Sequence, residues 1–141
     1  TATFHWVPDH DVLFAHVAAA LRPGGALAAQ CGGAGNLVTV VRALEDLGAD
    51  PFTGKVFATP ERTSERLRKA GFDEVECWLH PEPTVFASLE DLGTFLRTVV
   101  LREHVSRMTD AEAGAFVYAV ATRLPRLELD YVRLDIAARR G

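Results

Sequence analysis

The sequence predicts an α/β domain, a largely parallel sheet flanked by helices. Three observations lead there. Strand-length segments occur at 26–31, a continuous apolar run, and at 75–79 and 127–136, where apolar residues alternate with others. Longer stretches between them repeat apolar residues every three or four positions, as a helix with one buried face does. The two patterns alternate as (strand)-helix-strand-helix-helix-strand-helix-helix-strand, the order that builds a parallel sheet with covering helices.

The first element reads as the end of a buried strand running into a loop, Thr3-Phe4-His5-Trp6-Val7-Pro8-Asp9-His10. A loop at the carboxyl end of a strand is where open α/β sheets place ligands. The sequence therefore reads as starting inside a domain. Asp9 or Asp11 can cap the next helix, whose stripe is Val12, Leu13, Val17, Ala20 and Leu21. Pro23-Gly24-Gly25 stops it. Ala26 to Cys31 is a continuous apolar run, the mark of a strand covered on both faces.

After Gly32-Gly33-Ala34-Gly35-Asn36, a helix runs to about Leu47 on Leu37, Val40, Val41, Leu44 and Leu47. Residues 48–58 form a loop anchored by Phe52 and Phe57. Thr59-Pro60 is a cap followed by proline at the first helical position, and Gly71 ends that helix. Its Arg62, Glu65, Arg66, Arg68 and Lys69 make a solvated face. Val75, Cys77 and Leu79 alternate with polar partners as a strand does, closed by Pro81 and Pro83. Ser88 opens a helix on Leu89, Leu92, Phe95, Leu96, Val99 and Val100. Thr109-x-x-Glu112 is a capping box for another, which Pro125 closes. The last strand, 127–136, changes its alternation near Tyr131-Val132.

Composition removes several function classes. With 141 residues, 48% hydrophobic and 24% charged, the chain has the make-up of one ordinary globular domain. A net charge of −4 argues against an electrostatic nucleic-acid partner. No apolar run approaches the ~20 residues that span a bilayer, and no basic-then-apolar leader precedes the first helix. Neither a nucleic acid nor a membrane is expected as a partner. Cys31 and Cys77, each in a strand-like run, read as reduced thiols of a cytoplasmic protein.

Gly32-Gly33-Ala34-Gly35 is the one candidate for a glycine-rich nucleotide loop. A dinucleotide fingerprint also wants an acidic residue ~20 positions on at a strand end. Asp50 has the spacing but sits in a Gly/Pro loop, so a turn leaving a strand is the favoured reading. The histidines lack metal-ligand spacing, and no metal is expected. No Gly-x-Ser-x-Gly elbow is present and neither cysteine has a motif partner, which removes nucleophilic hydrolysis. Arg97, Arg102 and Arg107 could offer a carboxylate a fork-shaped donor.

Phe4-His5-Trp6-Val7-x-Asp9-His10, then Leu21-x-Pro23-Gly24-Gly25, an apolar strand and Gln30-Cys31-Gly32-Gly33 resemble the second half of a class I S-adenosylmethionine-dependent methyltransferase. The trans-aconitate methyltransferase-like enzymes are the most similar. Leu67-Arg68-Lys69-Ala70-Gly71-Phe72-x-x-Val75 resembles the later helix and sixth strand of that family. The resemblance implies a Rossmann-like sheet in its carboxyl-terminal half, with a helical substrate-side insertion at about 84–124 and a final antiparallel strand at 127–136. Residues 1–141 would then be one part of a methyltransferase domain. The family's glycine-rich cofactor loop and its acidic ribose-binding strand end would lie before Thr1.

By this resemblance the parent moves a methyl group from S-adenosylmethionine to a small-molecule acceptor, while the chain by itself binds that cofactor weakly or not at all. His5 and Trp6 would line the substrate side, and Thr3 and Phe4 the cofactor side through their backbone. Positioning dominates such a displacement, so His5 reads as a pocket wall rather than a general base. The catalytic residues stay unassigned. The alternative is a non-catalytic binding or assembly module on the same half-fold. A half-sheet leaves an unpaired edge and bare apolar surface, which a homodimer or the absent amino-terminal half would cover.

Overall fold

The computed structural model describes residues 2–141. Its elements are a 3₁₀ turn at Phe4–Trp6, α1 His10–Ala20, β1 Ala26–Gly32, α2 Val38–Asp46, α3 Pro60–Lys69, β2 Phe72–Pro81 and β3 Thr84–Val85. α4 Leu89–Phe95, a π-helical turn Leu96–Val100, α5 Arg102–Val105, α6 Asp110–Ala121, β4 Glu128–Leu129 and β5 Val132–Arg140 complete them. The molecule is mixed α/β, with a sheet and flanking helices. Among the described residues no helix is long and apolar enough to cross a membrane.

The chain divides into two units. The first holds the described residues through Asn36 together with Thr53–Glu82 and Tyr131–Gly141. The second is Leu37–Phe52 with Pro83–Asp130.

In the first unit the sheet order is β1-β5-β2, and both ladders are antiparallel. This corrects the largely parallel sheet expected from element order. β1 and β2 do run the same way, because each opposes β5. Element order predicts the direction of strands joined through helices; it does not show that the last strand occupies the slot between them. The antiparallel final strand implied by the family resemblance is present.

α1, α3 and the sheet enclose a core of Phe14, Ala18, Cys31, Leu67, Phe72, Leu134 and Ile136. α1 buries His10, Phe14 and Ala18, whereas Val12 and Ala20 of the expected stripe are exposed. Apolar residues nearly all round this helix leave its phase open in the sequence. β1 is not covered on both faces either: Ala26 and Ala28 are exposed while Leu27, Ala29 and Cys31 turn inward.

Local signals fix most boundaries. Asp9 accepts from the Val12 N–H at 3.0 Å, and Thr59 Oγ1 from Arg62 N–H at 3.3 Å. Gly71, at φ 91, turns the chain from α3 into β2. Arg140 then locks both helix ends. Its Nε–H donates to Ala18 O and its Nη1–H to Gly71 O, each at 3.1 Å, so one cation serves the carboxyl termini of α1 and α3.

In the second unit Ser88 caps α4, and Thr109 with Glu112 forms the reciprocal capping box of α6. The long helix expected from Ser88 to Val100 is instead α4 followed by a π turn. The phase change near Tyr131 proves to be a break: the expected last strand is two, β4 pairing with β3 and β5 joining the main sheet. α2 begins at Leu37 in the left-handed region, with no cap from its own residue. Asp130 caps it from afar, accepting from Thr39 N–H at 3.1 Å and Thr39 Oγ1 at 2.7 Å.

Candidate functional site

Residues 3–7, expected to end a strand, form a tight turn. Trp6 N–H donates to Thr3 O and Val7 N–H to Phe4 O, both at 3.0 Å. A run of apolar and aromatic residues does not reveal such local bonding, and the strand pattern is absent from the described part of this stretch.

Two histidines fasten the turn. His5 is 8% exposed, and its Nδ1 accepts from the Gly32 N–H at the carboxyl end of β1, at 3.1 Å. Its carbonyl accepts from Val56 N–H at 2.8 Å. Because an N–H points at Nδ1, the ring proton belongs on Nε2. Burial, with Lys55 and Arg133 nearby and a lesser contribution from His10, pushes the His5 pKa down to about 4. His5 is thus a neutral ring at pH 7 that offers an Nε2–H donor, not a free basic nitrogen. His10 Nε2–H donates to Phe4 O at 3.0 Å. Its Nδ1 is buried without a partner among the described residues, and burial lowers its pKa as well.

Trp6 stands beside His5, ring centroids 5.6 Å apart, and remains 45% exposed. Lys55 Nζ lies 4.0 Å from the Trp6 ring centroid. Phe57 flanks His5 on another side at 5.7 Å. His5 and Trp6 are therefore together, as a half-open aromatic wall with a cation above it. Phe4 packs edge-on against Phe14 at 5.9 Å, and its carbonyl serves both Val7 and His10. Thr3 is exposed beside it. The sequence reading missed His10 as the second fastener, Lys55, and Phe57 as a partner of His5. The Phe57 anchor was visible as an aromatic in a Gly/Pro loop; the partners were not.

The glycine turn after β1 has a packing role. Gly33 N–H donates to Val132 O, Ala34 N–H to Ala58 O and Asn36 N–H to Gly33 O, each at 3.0 Å. Gly32 N–H is held by His5. A Cβ on Gly32 would meet Asn36 at 2.9 Å and Phe57 at 3.0 Å. With these amides already used, the turn offers no cradle for a phosphate or a cofactor. Asn36 is buried and its Oδ1 accepts from Val132 N–H at 2.9 Å.

In the second unit Arg97 pairs with Asp110 on the surface, and Arg102 and Arg107 are exposed. Asp50 lies in a loop, where its carbonyl accepts from His104 Nε2 at 2.7 Å.

No family model and no curated protein matches the sequence. Solved structures do. Phosphoethanolamine N-methyltransferase 2 of Haemonchus contortus, in complex with phosphomonomethylethanolamine and S-adenosylhomocysteine, aligns over 99% of this chain with a TM-score of 0.52 and 16% identity. A Galdieria sulphuraria protein named as a sarcosine dimethylglycine methyltransferase aligns over 99% with a TM-score of 0.52 and 14% identity. The chain covers 32% of the first and 51% of the second. At these identities the likeness shows the fold, that of methyltransferases.

Proposed function

We propose that the parent protein is an S-adenosylmethionine-dependent methyltransferase acting on a small molecule, and that this chain supplies the carboxyl-terminal part of its fold. The observation that carries the reading is strand β5, running antiparallel between β1 and β2. A final antiparallel strand was implied by the family resemblance, and the two solved structures described above carry methyltransferase names. The His5–Trp6 turn, tied to the carboxyl end of β1, stands where open α/β sheets bind ligands.

The residues present do not form a complete grip on the cofactor: the amides of Gly32, Gly33, Ala34 and Asn36 in the glycine turn are bonded within the protein. What the chain contributes is a substrate wall. Trp6 gives an apolar plane, Lys55 a positive charge above it, and His5 an Nε2–H donor held in one orientation by Gly32. Thr3 and Phe4 would border the methyl donor. β1 and β2 are the border strands of the sheet among the described residues, and the preceding half of the domain, or a second copy, would cover the β1 border.

Calorimetric titration with S-adenosylhomocysteine tests this on two samples: the 141-residue chain, and the chain extended by the polypeptide encoded upstream. The extended protein should bind at a Kd of about 10 μM or tighter and the chain alone at about 1 mM or weaker. An extended protein that does not bind refutes the enzyme and leaves the assembly module. Tight binding by the chain alone refutes the missing grip.

A further inference from the structure

In the second unit, helices α4 and α6 carry a groove that the His5 turn does not use. Its volume is about 320 Å³, at the small end of the roughly 300–1,000 Å³ of ligand sites. α4 lends it Leu89, Glu90 and Gly93, and α6 lends it Gly114, Val117 and Tyr118. Within each set the residues recur at three or four positions, so each set lies on one helix face. Gly93 stands against Val117, and past the end of α4 Arg97 pairs with Asp110. The helices therefore run in opposite directions. Glu90 lies toward one end of the groove and the Arg97–Asp110 pair toward the other.

Two glycines hold the groove open. Glycine weakens a helix relative to alanine, so two of them lining one groove need a reason. Neither has a positive φ. A Cβ on Gly114 would meet nothing within 4 Å, and one on Gly93 only Val117, at an ordinary 3.8 Å. Neither backbone conformation nor packing requires glycine at either position. What the missing side chains leave is space, floored by buried Val117 and walled by Tyr118, 63% exposed.

Glu90 is the one charged residue in the described lining. It is exposed, and its carboxylate has no hydrogen bond or ion pair among the described residues. Asp91 beside it adds to the negative charge. The neighbouring cations are engaged elsewhere: Arg97 by Asp110, and Arg123 through its Nη1–H to Ala119 O. An occupant must present a flat apolar body where the two side chains are missing and a positive group to Glu90. An anion would face that carboxylate uncompensated.

We infer that the α4–α6 groove binds a small aralkyl amine in its ammonium form, its ring between the two glycines and Tyr118 and its charge at Glu90. The site does not depend on methyl transfer.

2-Phenylethylamine, protonated at pH 7, is the probe, and 2-phenylethanol, of the same shape without the charge, is the control. Both are titrated into the isotopically labelled chain while the Gly93 and Gly114 amides are followed by NMR. The amine should bind with a Kd of about 1 mM, and the alcohol about two- to fivefold more weakly, the worth of an exposed ion pair. Glu90→Gln should lower the amine to the alcohol's level. Gly114→Leu fills the groove and should weaken the amine about tenfold or more, with no fall in the thermal midpoint because leucine favours a helix. Equal binding of amine and alcohol by the unaltered chain overturns the proposal even if the variants do not fold. So do glycine signals unmoved at about 50 mM amine, well above the expected Kd. If Gly114→Leu instead turns a dimer into a monomer in analytical ultracentrifugation and the amine binds no better than the alcohol, the groove is an interface between copies and the proposal fails.

Discussion

Acidification should loosen the turn that carries Trp6, because protonation of His5 replaces an acceptor with a donor facing the Gly32 N–H. The His5 pKa falls from 6.5 to about 4 in the folded protein. Each tenfold change in proton affinity is worth about 1.4 kcal/mol, so the full effect is about 3 kcal/mol. The folded state holds this proton less tightly than the unfolded chain. Between pH 6.5 and about 4 the unfolded chain binds more protons, and stability rises with pH across that window. Above pH 6.5 the His5 contribution is flat; by about pH 4.5 most of the loss, about 2.5 kcal/mol, has been incurred. The assay is urea unfolding of the unaltered chain and of His5→Asn near pH 7, 5.5 and 4.5. Asparagine keeps an acceptor for Gly32 but does not titrate. His10, also lowered, adds a slope of the same sign in both proteins, so the difference between them isolates His5. Identical pH slopes, or a His5 imidazole titrating by NMR at its ordinary 6.5, would refute the reasoning.

Arg140→Ala removes the guanidinium from the carboxyl ends of α1 and α3, and should cost about 2–4 kcal/mol in urea unfolding, less than two full charged hydrogen bonds because the group is partly solvated. Asp130→Ala uncaps α2 and should cost about 1–2 kcal/mol, read as faster amide hydrogen exchange over Val40 to Leu44. Gly33→Ala places a Cβ 2.9 Å from Leu134 Cβ and against Leu79, for which thermal unfolding should show a loss of about 1–3 kcal/mol. Thr109→Ala should cost only about 1 kcal/mol, since Glu112 and the rest of the α6 contacts remain.

Of the candidate site, the sequence showed two adjacent ring-bearing residues in one loop, His5 and Trp6, which stand side by side in the turn. Their chemistry was not legible. That His5 is a neutral donor follows from Gly32, 27 residues away, and from Lys55 and Arg133, distant in sequence. The glycines at 32–35 looked like a phosphate loop or a turn, and only the destination of each amide separates the two.

What the chain alone determined was local. Asp9, Thr59, Ser88 and Thr109 begin their helices, Gly71 ends one, and the broken alternation at Tyr131 marks where one strand becomes two, because caps and turns are made by neighbours within about four residues. The tertiary structure decided where β5 runs, which face of α1 is buried, that Asp130 caps α2 from 91 residues away, and that Asp135 faces both Gln30 and His80. Those pairings join segments that share no periodicity, and they exist only once burial of the apolar faces has brought the segments into register.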